Sequence, residues 1–446
     1  MKKGILLTVL VLLISSVFLI SCSAKKPADN KTTIRFMFWG DLEEIKIITD
    51  TIARFEKAYP DLTVSAERAP SSGTSYMDKV VTQIAGGVAP DVIFLSSDNC
   101  VTFAIKDLMM DLKPFVEKDK FPIDGFYESI TNRFDYNGKL IAIPRDIAPV
   151  ACLYYNKKLF DEAKLPYPKD NWTWKDLRAN AKKLTKVDKA TGQIIQFGLC
   201  EDWNLWDAYV LANGGSYADN IQNPTRCTLD SKNAIEAIKF RKELVYKDKV
   251  MPSPAQLSSM GGVGTSDMFV SSKAAMFFSG IWKTPMFRQI KDFDWDIALF
   301  PKGPMAKKPG YPGGGSGYGI LKSTKHSEEA WKLVTFLSGE EGQKQLAQTG
   351  LAQPAIKAMA ESPEFLDGKD PKNKKILLQA SKYIVYTPFM DEWSELLAKY
   401  IGPDMDPIWF DKEKEPIDKL MKRIVKNGNE AIFGARKKAA VAAEKK

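Results

Sequence analysis

Thr33-Ile34-Arg35-Phe36-Met37-Phe38-Trp39 is a run of β-favouring, mostly apolar residues, ended by Gly40-Asp41. Such a run suits a strand buried on both faces. Beyond it, Ile45, Ile48, Ile52, Phe55 and Tyr59 recur at steps of three and four, one face of a helix that stops before Pro60. Leu62 to Glu67 alternates and predicts a second strand. Tyr76, Val80 and Ile84 mark another helix, closed by Gly86-Gly87. Ala89-Pro90-Asp91 then leads into Val92-Ile93-Phe94-Leu95, a third strand ending in polar Ser96-Ser97-Asp98-Asn99. Strand, helix, strand, helix, strand at this spacing predicts an α/β lobe with a mainly parallel sheet. In such sheets ligands sit beyond the carboxyl ends of strands, which singles out Trp39-Gly40-Asp41 and residues 96–99.

Downstream, Asn137-Gly138 predicts a hairpin turn whose second strand runs into Pro144. Val150 to Tyr155 follows as a strand, and a helix opens at Asn156. Residues 172–184 predict a helix with Thr173 as N-cap and with Trp172 and Trp174 packed at its start. Trp203 and Trp206 precede Asn213-Gly214-Gly215. Ala234 to Val245 is helical, Ser272 to Phe278 a strand ending near Gly280-Ile281-Trp282, and Asp296 to Phe300 another strand. Residues 301–319 are too rich in glycine and proline for regular structure, apart from a short strand at their end. Glu328 to Leu337 is helical, with Trp331 on its buried face.

The chain begins as an export signal does: Lys2 and Lys3, an uncharged run from Ile5 to Ile20, then Leu19-Ile20-Ser21-Cys22. The ending resembles the bacterial lipobox, which implies that Cys22 is acylated and becomes the mature N-terminus. Removing the first 21 of 446 residues leaves 425, a length that suits two lobes. The alternative is an uncleaved anchor with Cys22 incidental, but the run is short for a span. Leader, tether and tail from Ala435 carry +7 of the net charge of +9, leaving +2 on the body. That is no nucleic-acid footprint. The basic tail is expected as a solvated or frayed end, able to touch anionic lipid. Cys100, Cys152, Cys200 and Cys227 form no metal-ligand pattern; Cys200 and Cys227 are the nearest pair to bridge, against four buried thiols. The single histidine, His326, stands at a helix start, so Ser-His, Cys-His and His-metal chemistries lack their parts. No catalytic residue, metal or cofactor is expected.

The collinear order of these features resembles the extracellular solute-binding proteins of ABC importers, in the sugar-binding branch that includes maltose-binding protein. The resemblance runs from about residue 32 to about 410. It is carried by Trp39-Gly40, Ala89-Pro90-Asp91-Val92, residues 136–144, Tyr155-Asn156-Lys157, Trp206 with Gly214-Gly215, Ala274-Ala275-Met276 with Gly280-Ile281-Trp282, and the glycine-rich stretch before the 328–337 helix. It implies two α/β lobes joined by three crossings near 147–151, 296–301 and 337–343. One lobe would combine 32–148 with 299–338 and the other 149–298 with 339–434, after a tether at 22–31 and before the tail at 435–446. It further implies a lipid-anchored, extracytoplasmic monomer that hands one solute to a membrane permease and performs no chemistry.

A pyranose has apolar C–H faces and a polar rim, which rings and carboxylates or amides can match. Candidate ligand residues are Trp39, Asp41, Asp98, Asn99, Asp146, Trp203, Trp206, Trp282 and Trp393. Gly313, Gly314 and Gly315 would let backbone amides approach the ligand. Within the same class, an acidic solute such as a uronate oligosaccharide or glycerol phosphodiester would call on Arg145 and Lys283. From other classes, a secreted glycoside hydrolase or a structural surface lipoprotein remain alternatives. No segment resembles a paired acid and nucleophile.

Overall fold

The computed structural model describes residues 31–69, 74–261 and 264–444. Cys22 and the leader expected before it lie outside the described residues. Strand β1 (Thr32–Trp39) pairs in parallel along its length with β2 (Leu62–Ala69), and on its other side with β3 (Val92–Ser96). The intervening helices, Leu42–Ala58 and Thr74–Ala85, bury the faces that their periodicity marks; Ile48, Ile52 and Phe55 are all in the core. The chain then adds β4 (Ile143–Ile147) and crosses at residues 148–151 into β5 (Cys152–Asn156). A second sheet forms from β5, β6 (Cys200–Glu201), β7 (Met276–Ser279) and β8 (Trp295–Leu299), in the order β6-β7-β5-β8. Residues 300–314 return the chain to β9 (Gly315–Ile320), which inserts antiparallel between β3 and β4. Later β10 (Gln353–Pro354) joins β4, giving the first sheet the order β10-β4-β9-β3-β1-β2. Two hydrophobic cores result, one centred on Phe36, Ile93 and Tyr318, the other on Leu153, Tyr154 and Phe277.

Pairing fixes where a ligand can sit. Ser316 opposes Ser96 and Gly315 opposes Ile147, so the carboxyl ends of β1 to β4 share one edge with the start of β9. In the second sheet Cys152, the first residue of β5, opposes Ser279 and Leu299, the last residues of β7 and β8. The β6 strand runs parallel to β7 and ends at Glu201. Both edges adjoin the crossings at 148–151 and 300–314. Residues 96–102 of the first lobe and 387–397 then share one cavity between the lobes.

Several elements depart from the sequence expectations. Gln353–Pro354 and the helix Glu340–Thr349 do not belong to the second lobe alone. The strand joins the first sheet, while Leu346 and Ala347 pack in the second core. The strand expected from Ser272 starts at Met276, because Ser272 takes a left-handed φ of 57° to close the Thr265–Val270 helix. The tail expected as a solvated or frayed end continues the Ile417–Glu444 helix, with Ala435, Arg436 and Lys437 exposed, and Arg436 pairs with Glu392 at 3.8 Å. Cys200 and Cys227 are not bridged; all four described cysteines are free and buried, and Cys200 Sγ contacts Met268 Sδ at 3.7 Å. The Asn137-Gly138 turn takes φ of 50° and 80°, the left-handed pair that a two-residue hairpin needs.

Candidate functional site

The second lobe contributes an aromatic wall. After β6 the chain turns through Asp202 into Trp203, and after β7 through Gly280 into Trp282. The two indoles stack with centroids 5.9 Å apart and planes 14° from parallel. Trp203 is 49% exposed. Gly280 is required here: a Cβ on it would lie 1.9 Å from the Trp282 ring. Asp202 holds the wall in place. Its Oδ2 accepts from Ser279 Oγ at 2.8 Å and from Trp282 Nε1 at 3.4 Å, and its Oδ1 pairs with Lys283 Nζ at 3.0 Å.

The first lobe supplies Ser96, Asp98 and Asn99, at the end of β3 and the start of the following helix. They line a cavity of about 310 Å³ with Met77, Thr387, Asp391, Trp393 and Leu397. That volume lies at the small end of ordinary small-molecule sites. Asn99 is buried and its Oδ1 accepts from Ser96 N at 2.8 Å, so part of its capacity shapes the loop. Trp393 is buried edge-on against Tyr217, with centroids 5.8 Å apart, and its Nε1 has no hydrogen-bond partner among the described residues. A buried donor without a partner is costly, and a ligand oxygen would satisfy it. Beside it, Tyr217 donates to Asp207 Oδ2 at 2.8 Å. Burial pushes the Asp207 carboxyl up, and the charge of Asp98 on the opposite lobe adds to the rise.

A strap at 386–391 ties the lobes together at this cavity. Arg133, 2% exposed, donates to Ser97 O at 2.6 Å, to Thr387 O at 2.9 Å and to Thr387 Oγ1 at 3.0 Å, and lies over the rings of Tyr386 and Phe389. Thr387 Oγ1 donates to Asp98 at 2.9 Å, Thr102 Oγ1 donates to Asp391 at 2.8 Å, and Phe389 N donates to Ile221 O at 2.7 Å.

The remaining expected residues lie elsewhere or are engaged. Trp39 stacks on Phe94 at 4.2 Å and meets Tyr76 edge-on, so it is half-buried against the first core. Asp41 is exposed and caps the Leu42–Ala58 helix through Glu44 N at 3.2 Å. Trp206 is half-buried as the first residue of the Trp206–Ala212 helix. Asp146 is buried, and its Oδ2 accepts from Arg145 at 3.2 Å and from Ser316 Oγ, which withdraws it from the cleft. Arg145 is 3% exposed and pairs at 2.7 Å with Glu44. Burial pushes the Glu44 carboxyl up to about 7, against the pull of Arg145. Both cations considered for an acidic ligand are thus engaged by carboxyl groups, Arg145 by Glu44 and Asp146 and Lys283 by Asp202. The glycine run packs the hinge rather than a ligand cradle. Gly313 N donates to Val385 O at 2.8 Å, and the Gly314 and Gly315 carbonyls accept from Ala148 and Ser97.

Sequence reasoning missed Asp202, Asp207, Tyr217 and Arg133. Asp202 alone carried a signal, standing beside Trp203 at a strand end.

Residues 39–344 match the family described as bacterial extracellular solute-binding protein. A galactooligosaccharide-binding protein of Bacillus subtilis (strain 168) is 23% identical over 392 residues, covering 85% of this chain and 87% of that one. The fold is also that of an ABC substrate-binding protein from Listeria monocytogenes solved with cycloalternan. The TM-score is 0.79 and the identity 28%, over 90% of this chain and 99% of that one. Maltose-bound MalE3 of T. maritima gives a TM-score of 0.76 at 22% identity, over 90% and 100% of the two chains.

Proposed function

We propose, from the premise that this chain belongs to the bacterial extracellular solute-binding protein family, that it captures an oligosaccharide between its lobes and delivers it to the permease of an ABC importer. An acylated Cys22 would hold it at the outer face of the membrane. The observation that supports the reading is that the loops after the strands of the two sheets carry complementary chemistries. Parallel indoles, Trp203 and Trp282, suit the C–H faces of a pyranose, while Asp98, Asp207 and the unpartnered Trp393 Nε1 suit its hydroxyls. The galactooligosaccharide, cycloalternan and maltose named for its relatives support the same ligand class. Neutral sugar is favoured over an acidic solute because Arg145 and Lys283 already face carboxylates.

The test is a thermal-shift screen of the mature protein against neutral and acidic mono- to tetrasaccharides. A ligand at a hundred times its Kd adds about 2.7 kcal/mol to native stability. A neutral oligosaccharide should therefore raise the melting temperature by several degrees. A flat response across the panel contradicts the reading.

A further inference from the structure

Directly after Trp282 stands Lys283, whose ammonium pairs with the same carboxylate that accepts from the Trp282 indole N–H. We infer, on the oligosaccharide reading given above, that Asp202 sets the charge preference of the cleft. It fixes the indole pair and masks a cation that would otherwise draw an acidic sugar. Asp202 is a positioning residue that acts through Trp282 and Lys283, without itself touching the ligand.

The backbone of Asp202 is fixed independently of its side chain. Its N–H donates to Phe278 O at 3.0 Å, and its carbonyl accepts from Thr265 Oγ1 at 3.1 Å. The loop therefore keeps its course when the carboxylate is replaced. The carboxylate divides its two oxygens between two tasks. Oδ2 accepts from Ser279 Oγ and Trp282 Nε1, which orients the ring, while Oδ1 accepts from Lys283 Nζ. Trp203, the next residue along the chain, stacks on that ring. One residue thus sets the relative position of both indoles before a ligand arrives. Rings already held in place lose less side-chain freedom on binding.

Lys283 and Arg145 differ in how firmly they are held. Arg145 is 3% exposed and pairs with both Glu44 and Asp146. The Lys283 side chain is 24% exposed and, among the described residues, forms an ion pair with Asp202 alone. Loss of that one carboxylate frees Lys283 and leaves Arg145 engaged. A lysine ammonium is a compact charge on a flexible four-carbon stem. Once released, it has the reach to meet a carboxylate on a sugar stacked against the neighbouring Trp282. While paired, its charge is compensated, and an acidic sugar gains nothing from it. A bond that served packing alone would tolerate asparagine, which keeps the shape and one acceptor oxygen, with no change of charge preference.

The experiment is calorimetric titration of the mature protein with neutral oligosaccharides and with uronate oligosaccharides of the same length. It compares the native sequence, Asp202→Asn, and Asp202→Asn combined with Lys283→Gln. The native protein should prefer the neutral ligand. Asp202→Asn should shift the ratio of acidic to neutral affinity about tenfold toward the acidic ligand, the scale of one charged hydrogen bond. That gain should shrink as salt is raised. Adding Lys283→Gln should remove it. Trp203 and Trp282 form the one indole–indole contact among the described residues, and their coupled circular-dichroism band should weaken in Asp202→Asn. Melting temperatures show that each variant is folded, and Asp202→Ser takes the place of Asp202→Asn if the latter is not. An unchanged affinity ratio overturns the inference and leaves the cleft reading intact. A gain that survives Lys283→Gln, a band of native strength, or a native preference for the acidic ligand does the same. Failure of every saccharide to bind the native protein overturns both.

Discussion

Trp393→Phe separates ligand recognition from structural support better than any other single change. The indole is 4% exposed, lines the interlobe cavity and has no partner for its Nε1. Phenylalanine keeps an aromatic ring against Tyr217 and removes the donor. If a ligand oxygen occupies that donor in the complex, its loss costs about 1 kcal/mol, roughly a fivefold rise in Kd. The unliganded protein feels two opposing effects. The smaller ring leaves a void costing on the order of 1 kcal/mol. Removing a buried unpaired donor returns about 1–3 kcal/mol. Its melting temperature should therefore change by no more than a few degrees in either direction. Calorimetric titration gives the first number and differential scanning fluorimetry the second. Unchanged affinity would refute the donor's role. A large loss of ligand-free stability would show that the indole serves packing instead.

Three further outcomes follow from particular contacts. The folded-state value of Glu44, about 7, lies above the unfolded 4.5, so the native state holds a proton that the unfolded chain has lost between them. This contribution to stability is complete below pH 4.5 and is lost as pH rises through 7. Glu44→Gln should remove that part of the decline, measured as melting temperature at pH 5 and pH 7.5; an unaltered slope would assign it to other groups. Gly314→Ala would place a Cβ 2.1 Å from Ala148 O, between two of the chain crossings. It should destabilise the protein by about 1–3 kcal/mol or more, read by denaturant unfolding. Cys100, Cys152, Cys200 and Cys227 should resist a thiol reagent in the native state and all react on unfolding, and a reductant should leave the melting temperature unchanged.

The first lobe was legible because its signals are local. The apolar run 33–39, the three-four spacing from Ile45 to Tyr59 and the run 92–95 each became the element they predict. Turn chemistry at Asn137-Gly138 and the Thr173 capping box with Asp176 were equally local. The stacked pair Trp203 and Trp282 was legible as aromatics just beyond two strand ends. The site was not legible where partners lie far apart in the chain. Arg145 reads as an open cation until Glu44, 101 residues earlier, closes on it. Arg133 meets Thr387 across 254 residues, and nothing in either neighbourhood announces the contact. Gln353–Pro354 is too short to show a period, and only the open edge of β4 makes it a strand.

Hydrogen exchange with and without a bound oligosaccharide tests capture between the lobes most directly. One ligand should slow amide exchange in both walls together: residues 96–102 of the first lobe, and 201–206, 280–283 and 387–397 on the opposite side. Protection confined to one lobe, or protection distant from these segments, would contradict the account.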